Sequence, residues 1–436
     1  MRRHALLTAA FAFTLPLQGF SAPAEGPADP ALMHGFPPPE AKRVTRADFM
    51  APPNNRWAFQ HIRELQPTRE IWRGEGPIEP LPVALRPELA GFEAPVREGR
   101  RISLGQFLEE SHTDAFVVLH EGKIVFERYM NGQRPHVQHQ MFSVTKSFVG
   151  TLMLMLLEEG RVDAGKTVAT YVPELKDSAF GDATVQQVLD MTTAVAYEEI
   201  YDDPASDIWR YGWVFGLWGS PPAGYAGPMT IYDYLPTLPK KGEHGRAFHY
   251  VTPNTDVLGW IIRRVTGKSV DQNIAERFLQ PLGAERDAYV WLDGGGTEMA
   301  GGGLNITARD AARFGNLILQ GGRHGGKQLI PERVTKRILR PGDPETFVRY
   351  YGQLPGTAWY GTIAHSYHDQ WWSFANAHKA VSAIGVHGQY IYLDPVAKMV
   401  VVKQSSSPTA EGGPNEANDT DGPLFYQALA EHLMRP

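Results

Sequence analysis

Apolar and polar positions along the chain follow two periods, and the elements they predict are grouped by position. Two short runs with strand character, 115–120 and 123–127, flank Glu121-Gly122 and predict a hairpin. From residue 143 to about 159 nearly every position is apolar, including Phe148, Val149, Leu152, Met153, Leu154, Met155, Leu156 and Leu157. A helix apolar on all sides is a buried one, and Gly160 is placed to end it. Between 184 and 340 the period is mostly helical, at 185–191, 256–265, 270–278 and 308–319, broken by Gly/Pro loops. Strand character returns at 389–393 and 399–403, joined by 394–398 as a second hairpin. A polar loop over 405–421 then leads to an amphipathic helix with Leu424, Phe425, Ala428, Leu429 and Leu433 on one side. Strands near both ends with helices between them predict an α/β (α+β) fold. An antiparallel sheet flanked by helices would be built from 96–142 and 378–436, with a mostly helical second lobe at about 160–340. The cleft between two such lobes is where a site is expected. No internal repeat is visible.

Composition narrows the classes. The 436 residues suffice for one large two-lobed domain, and 21% charged with 44 Gly and 34 Pro suits a loop-rich globular enzyme. A net charge of −6, without a Lys/Arg cluster, argues against nucleic-acid binding. Cysteine is absent, which removes thiolate nucleophiles, disulfides and Cys-ligated metals from consideration. The first 24 residues read as a signal peptide: Met1-Arg2-Arg3-His4 is basic, 5–17 is apolar but too short to span a bilayer, and small residues follow up to Ala24. This predicts a bacterial periplasmic or secreted protein with no stable membrane insertion after cleavage. Residues 25–95 are rich in Pro and charge and are expected to form an extended N-terminal arm before a domain at 96–436.

Candidate chemistry concentrates at the start of the apolar helix, in Phe142-Ser143-Val144-Thr145-Lys146. A serine and a lysine three apart share one helix face. At a helix start, free N–H groups and the macrodipole stabilise developing negative charge. That suits a serine nucleophile with a lysine as its proton acceptor. Taken alone, the same spacing is also that of a solvated helix face.

Company decides between the two. The 142–148 run resembles the first motif of the serine β-lactamase and penicillin-binding-protein superfamily. The segments 184–193, 249–260 (with Tyr250 followed by Thr252), 301–310 and 384–390 resemble its later motifs, in the expected order. Together they cover roughly 100–435. Within that superfamily the chain is most similar to the 6-aminohexanoate-dimer hydrolase and esterase branch, near class C β-lactamases. Thr252 stands where class C enzymes usually carry asparagine, and Ala383-Ile384-Gly385 stands in place of Lys-Thr-Gly. The missing lysine is the one a β-lactamase uses to hold the substrate carboxylate, so its absence counts against penicillin turnover.

The resemblance implies a β-lactamase/transpeptidase-like fold and a serine hydrolase that cleaves linear amides or esters of small molecules without a cofactor or metal. It implies Ser143 as nucleophile, Lys146 as base and Tyr250 as proton shuttle, with the N–H groups of Ser143 and Val386 as oxyanion hole. Tyr201, Thr252, Gly385 and His387 are the implied substrate-side residues, His387 being equally readable as a packed strand-end histidine. Two other readings stay open: a β-lactamase or D,D-peptidase, and a non-catalytic binding protein of the same fold. Gly301-Gly302-Gly303 reads as a plain loop before a Thr307-capped helix. His365 and His368 near Asp369 lack a further ligand at sensible spacing for a metal. Trp371-Trp372 reads either as cleft wall or as an ordinary packed pair.

Overall fold

The computed structural model describes residues 29–351 and 364–435, so the expected signal peptide lies outside the described residues. Its centre is a seven-stranded antiparallel sheet. In spatial order the strands are Ala364–His368, Trp371–Phe374, Val381–Gly385, Gln389–Asp394, Met399–Ser405, Thr113–His120 and Lys123–Tyr129. The C-terminal Met399–Ser405 strand pairs along its length with Thr113–His120, so the two ends of the domain share one sheet. Two strands, Ala364–His368 and Trp371–Phe374, lie before the expected 378 boundary. The sequence pattern there is interrupted by polar residues on an edge strand, which weakens its periodicity.

Both faces of the sheet are covered, and the side-chain alternation along Met399–Ser405 shows it. Val400 and Val402 join one core with Val117, Leu119, Ile391 and Leu393. Met399 and Val401 join a second core with Phe116, Val118, Tyr390 and Tyr392. Burial on both sides is why the strand reads as a continuous apolar run instead of an alternating one. The first core is closed by the helices Val144–Glu158 and Ala308–Leu319, the second by Leu104–Glu110 and Gly422–Leu433. Gly315 allows the Ala308–Leu319 helix its close approach, since a Cβ there would sit 2.8 Å from Val400 Cγ1 and 2.9 Å from Leu393 Cδ2.

The segment read as an extended arm contributes Phe49, Phe59, Ile62 and Ile71 to the first core. Its strand Thr68–Ile71 joins a second, four-stranded sheet with Ala288–Trp291, Leu304–Ile306 and His139–Gln140. That sheet ties the arm to the helical region and leads directly into the Val144–Glu158 helix. The helix is buried from Val144 to Leu156, as its apolar composition requires.

A buried ionic cluster braces the far side of that helix. Arg337 donates to both oxygens of Asp369, at 2.6 and 2.7 Å. His368 lies 2.9 Å from Asp190 and 2.7 Å from Asp369. Asp369 and Gln370 form the turn between the two edge strands at positive φ, 53° and 69°. The turn presses on Gly150, where a Cβ would lie 2.6 Å from Asp369 O, and its Gln370 carbonyl accepts from Ser147 Oγ at 2.7 Å. Burial opposes the charge on His368, but hydrogen bonds to Asp190 and Asp369 outweigh it and push the pKa up to about 9. A raised folded-state value contributes stability that is fully present below the ordinary 6.5 and is lost as pH rises through about 9. The thermal midpoint is therefore expected to fall between those two pH values, and His368→Gln to flatten that stretch. Parallel midpoint curves for the two proteins would remove His368 from the cluster's stabilising role.

Candidate active site

Ser143 occupies the N-cap of the Val144–Glu158 helix, and its hydroxyl makes no capping bond. The preceding residue, Phe142, has φ +44°, a left-handed conformation that costs a non-glycine residue about 1–3 kcal/mol. Aromatic contacts hold it there: its ring meets Phe59 at 4.9 Å and His387 at 5.4 Å. Thr145 Oγ1 donates to Phe142 O at 2.6 Å and accepts from Leu304 N at 3.0 Å, locking the helix start onto the smaller sheet. Ser143 itself remains partly exposed while Lys146, one turn on, is only 1% exposed.

Lys146 Nζ has three neighbours: Ser143 Oγ at 2.9 Å, Thr252 Oγ1 at 3.1 Å and Gly301 O at 2.6 Å. It also lies 5.0 Å from the centre of the Tyr250 ring. Burial pushes its pKa down to about 8, against the opposing pull of the Glu199 and Asp256 carboxylates. Tyr250 hydrogen-bonds Ser143 through its hydroxyl, and burial raises its pKa, so the phenol keeps its proton. Its ring stacks on Trp372 at 5.6 Å and meets Tyr367 edge-on at 6.0 Å. Trp371, the next side chain along, faces the opposite side and packs near Phe314 in the first core. The tryptophan pair thus divides between the site and the core, as strand alternation requires.

Thr252 stands at the N-cap position of the Pro253–Thr266 helix without making a capping bond, and Pro253 at the first helical position presets its start. The geometry puts Tyr250 and Thr252 on the same side of Lys146. Gly385, at the end of its strand, lies against the serine: a Cβ there would be 2.4 Å from Met141 O and 3.1 Å from Ser143 N. Val386 follows it. Among the described residues neither the Ser143 nor the Val386 N–H donates to a backbone carbonyl.

Two of the expected substrate-side residues take other positions. His387 is 4% exposed, its Nδ1 lies 2.7 Å from Ser407 O, and its ring packs on Phe59 and Phe142. It supports the turn after Gly385 and does not line an open cleft. Thr252 is also buried, and its hydroxyl bridges Lys146 to Glu199. Tyr201 donates to Glu199 Oε2 at 3.0 Å and so joins the same network from the outer side. Lys403, on the Met399–Ser405 strand two places along the sheet from Val381–Gly385, does not replace the missing third-motif lysine. It is buried and donates to Ser111 O at 3.1 Å and to Asn418 Oδ1.

Three participants carry no signal in the sequence. Glu199 comes from an irregular loop, turned inward because Ser206 Oγ accepts from Ile200 N and donates to Glu198 O. Gly301 belongs to a run read as a plain loop, yet its carbonyl receives the lysine. Asp256 is buried behind it, accepting from Tyr211 OH at 2.8 Å and Gly301 N at 3.2 Å, with its pKa raised by burial.

Comparison with known proteins places the fold in a family. The Beta-lactamase family model matches residues 105–422. A 6-aminohexanoate-dimer hydrolase of Paenarthrobacter ureafaciens is 36% identical over 375 residues, covering 86% of this chain and 91% of that protein. A solved structure from Bacillus anthracis, named provisionally as a 6-aminohexanoate-dimer hydrolase, superposes with a TM-score of 0.80 at 36% identity, over 91% of this chain and 98% of the other. A family VIII carboxylesterase shares the fold alone, with a TM-score of 0.51 at 17% identity over 74% of this chain and 94% of the other. The chain belongs to the beta-lactamase family. Within it the protein is a serine hydrolase similar to 6-aminohexanoate-dimer hydrolase.

The contact at Gly385 yields a test. Gly385→Ala places a methyl group against the backbone beside Ser143, so a strand or helix start must shift. The variant is expected to lose about 1–3 kcal/mol of stability and most of its hydrolytic rate. A fully active Gly385→Ala enzyme with an unchanged thermal midpoint would contradict the close approach.

Proposed function

We propose that the protein is an exported hydrolase of linear amides or esters that works through an acyl-enzyme on Ser143. The observation that carries this reading is the buried, weakly basic Lys146 amine 2.9 Å from the Ser143 hydroxyl. A serine hydroxyl needs a base within hydrogen-bond reach, and a lysine can act as one only when neutral. Export is supported by the basic 2–4 and apolar 5–17 run, and no described helix is long and apolar enough to cross a membrane.

In the proposed course, Ser143 Oγ attacks the substrate carbonyl as its proton passes to Lys146 Nζ. The tetrahedral oxyanion lies between the N–H groups of Ser143 and Val386, each such donor contributing about 10²–10³ in rate. Tyr250, in contact with the serine hydroxyl and with its ring beside the lysine, passes a proton to the departing amine or alcohol and is reprotonated from Lys146. Water then attacks the acyl-enzyme, gives up a proton along the same route, and releases the acid with Ser143 restored. The strand beside the serine carries Ala383-Ile384-Gly385 and no cation for a penicillin carboxylate, which favours linear amides and esters over β-lactams.

Ser143→Ala is expected to abolish turnover of p-nitrophenyl acetate and labelling by a fluorophosphonate, with the fold retained. Lys146→Ala should lower kcat/KM by about 10²–10⁴-fold, and a near-normal rate would remove lysine from the mechanism. Because the neutral amine is the active form, kcat/KM should rise with pH through about 8 and level off above it. A profile flat from pH 6 to 10 would contradict that assignment. Nitrocefin turnover faster than ester turnover would replace this reading with a β-lactamase.

A further inference from the structure

We propose that Glu199 is a positioning residue that fixes the direction of the Lys146 lone pair, acting through the Thr252 hydroxyl. The proposal rests on the reading of Lys146 as the base and adds how that base is aimed.

It follows from counting protons around the amine. Gly301 O, 2.6 Å from Nζ, can only accept, so it takes one N–H. Thr252 Oγ1 owns a single proton, and that proton is donated to Glu199 Oε2 at 3.0 Å. Toward Lys146, 3.1 Å away, the same oxygen must therefore accept a second N–H. A neutral amine has two N–H bonds, and both are now committed. The remaining tetrahedral direction holds the lone pair, and the neighbour left for it is Ser143 Oγ at 2.9 Å.

The chain of donors begins at the carboxylate. Glu199 accepts from Thr252 N through Oε1, and from Thr252 Oγ1 and Tyr201 OH through Oε2. Burial pushes the Glu199 pKa up, and against it three donors converging on two oxygens favour the ionised carboxylate. Were Glu199 to carry a proton, it could donate to Thr252 Oγ1. The threonine proton would then turn to the lysine lone pair and draw it away from Ser143. Glutamine imposes the same reversal. The Thr252 backbone N–H is an obligate donor, so the amide oxygen must face it and the NH₂ must face the hydroxyl.

The titratable groups facing this assembly are Glu199, Asp256 and Tyr250 around Lys146, and Lys146, Tyr201, Tyr250, Tyr197, Tyr211, Tyr234 and Glu411 around Glu199. Removing the Glu199 charge takes a stabilising anion from the lysine ammonium. The acid limb of kcat/KM in a Glu199→Gln variant should therefore move to lower pH while the plateau falls.

The test is a double-mutant cycle on the purified full chain, with p-nitrophenyl acetate as substrate and the plateau kcat, KM, pH profile and thermal midpoint recorded. Glu199→Gln and Thr252→Val are each expected to lower plateau kcat by about 10²-fold, the scale of a misaligned reacting pair, with KM within about twofold of wild type. Thr252→Ser, which keeps the hydroxyl, should remain close to wild type. On the plateau, where Lys146 is neutral, the double variant should be no slower than Thr252→Val alone, because the carboxylate aims the lone pair only through that hydroxyl. Losses that multiply, a Thr252→Ser enzyme as slow as Thr252→Val, or a Glu199→Gln enzyme at full plateau rate would each overturn the proposal. A Lys146→Ala enzyme as active as wild type would overturn the base assignment as well. An inactive Lys146→Ala enzyme beside a fully active Glu199→Gln enzyme would overturn only this one.

Discussion

Holding an amine out of water next to a hydroxyl is the constraint around which this molecule is organised. An exposed lysine at neutral pH is an ammonium and has no lone pair to offer. Lys146 is made less basic by burial, and burial is achieved because the helix that carries it is apolar on every side and packed from all directions. Desolvation alone would leave an unsatisfied donor group at a cost of several kcal/mol. The Gly301 carbonyl and the Thr252 hydroxyl remove that cost without supplying a direct counter-ion. The carboxylates of Glu199 and Asp256 stay one bond further out, close enough to temper the shift and too far to pin the lysine in its charged form.

The supporting structure serves the same end. The smaller sheet delivers the chain into Phe142 at a left-handed φ, and the aromatic contacts with Phe59 and His387 hold it there. That strained residue sets Ser143 at the mouth of the helix with its hydroxyl free of any capping bond. From the other side, the Gly385 backbone closes on Met141 and Ser143 at a distance no side chain would permit. The ionic cluster of Asp190, His368, Asp369 and Arg337 braces the turn that touches Ser147 and Gly150, one turn beyond the lysine. Contributions from the arm, both sheets and three helices thus meet within two turns of one helix.

Family membership and local chemistry bear on different questions. The fold is shared with penicillin-binding and carboxylesterase relatives at low identity, and a shared fold does not select a substrate. In the function proposed above, selection falls to the strand beside the serine. Where a β-lactamase needs a cation for a carboxylate, this chain has Ala383-Ile384-Gly385, and Lys403 is turned to structural work behind the sheet.

Much of the architecture was legible from residue order because it follows from local periodicity. The all-apolar helix, the Val-rich strand ending in Ser405 and the capped Ala308–Leu319 helix depend mainly on their own sequence and on burial. Ser143, Lys146 and Tyr250 were legible for a related reason: two share a helix turn, and the third precedes a proline-started helix in a recognisable run. The arm's strand was not legible, since Thr68–Ile71 is too short to show a period and owes its form to pairing with Ala288–Trp291. Neither were Glu199, Gly301 and Asp256. Each of these depends on segments brought together from 45 to 155 positions apart along the chain. Residue order by itself determined which serine and lysine lie on one helix face. Which atoms surround that lysine amine and take up its hydrogen bonds was decided only when distant loops packed around it, because hydrogen-bond direction has no counterpart in sequence periodicity.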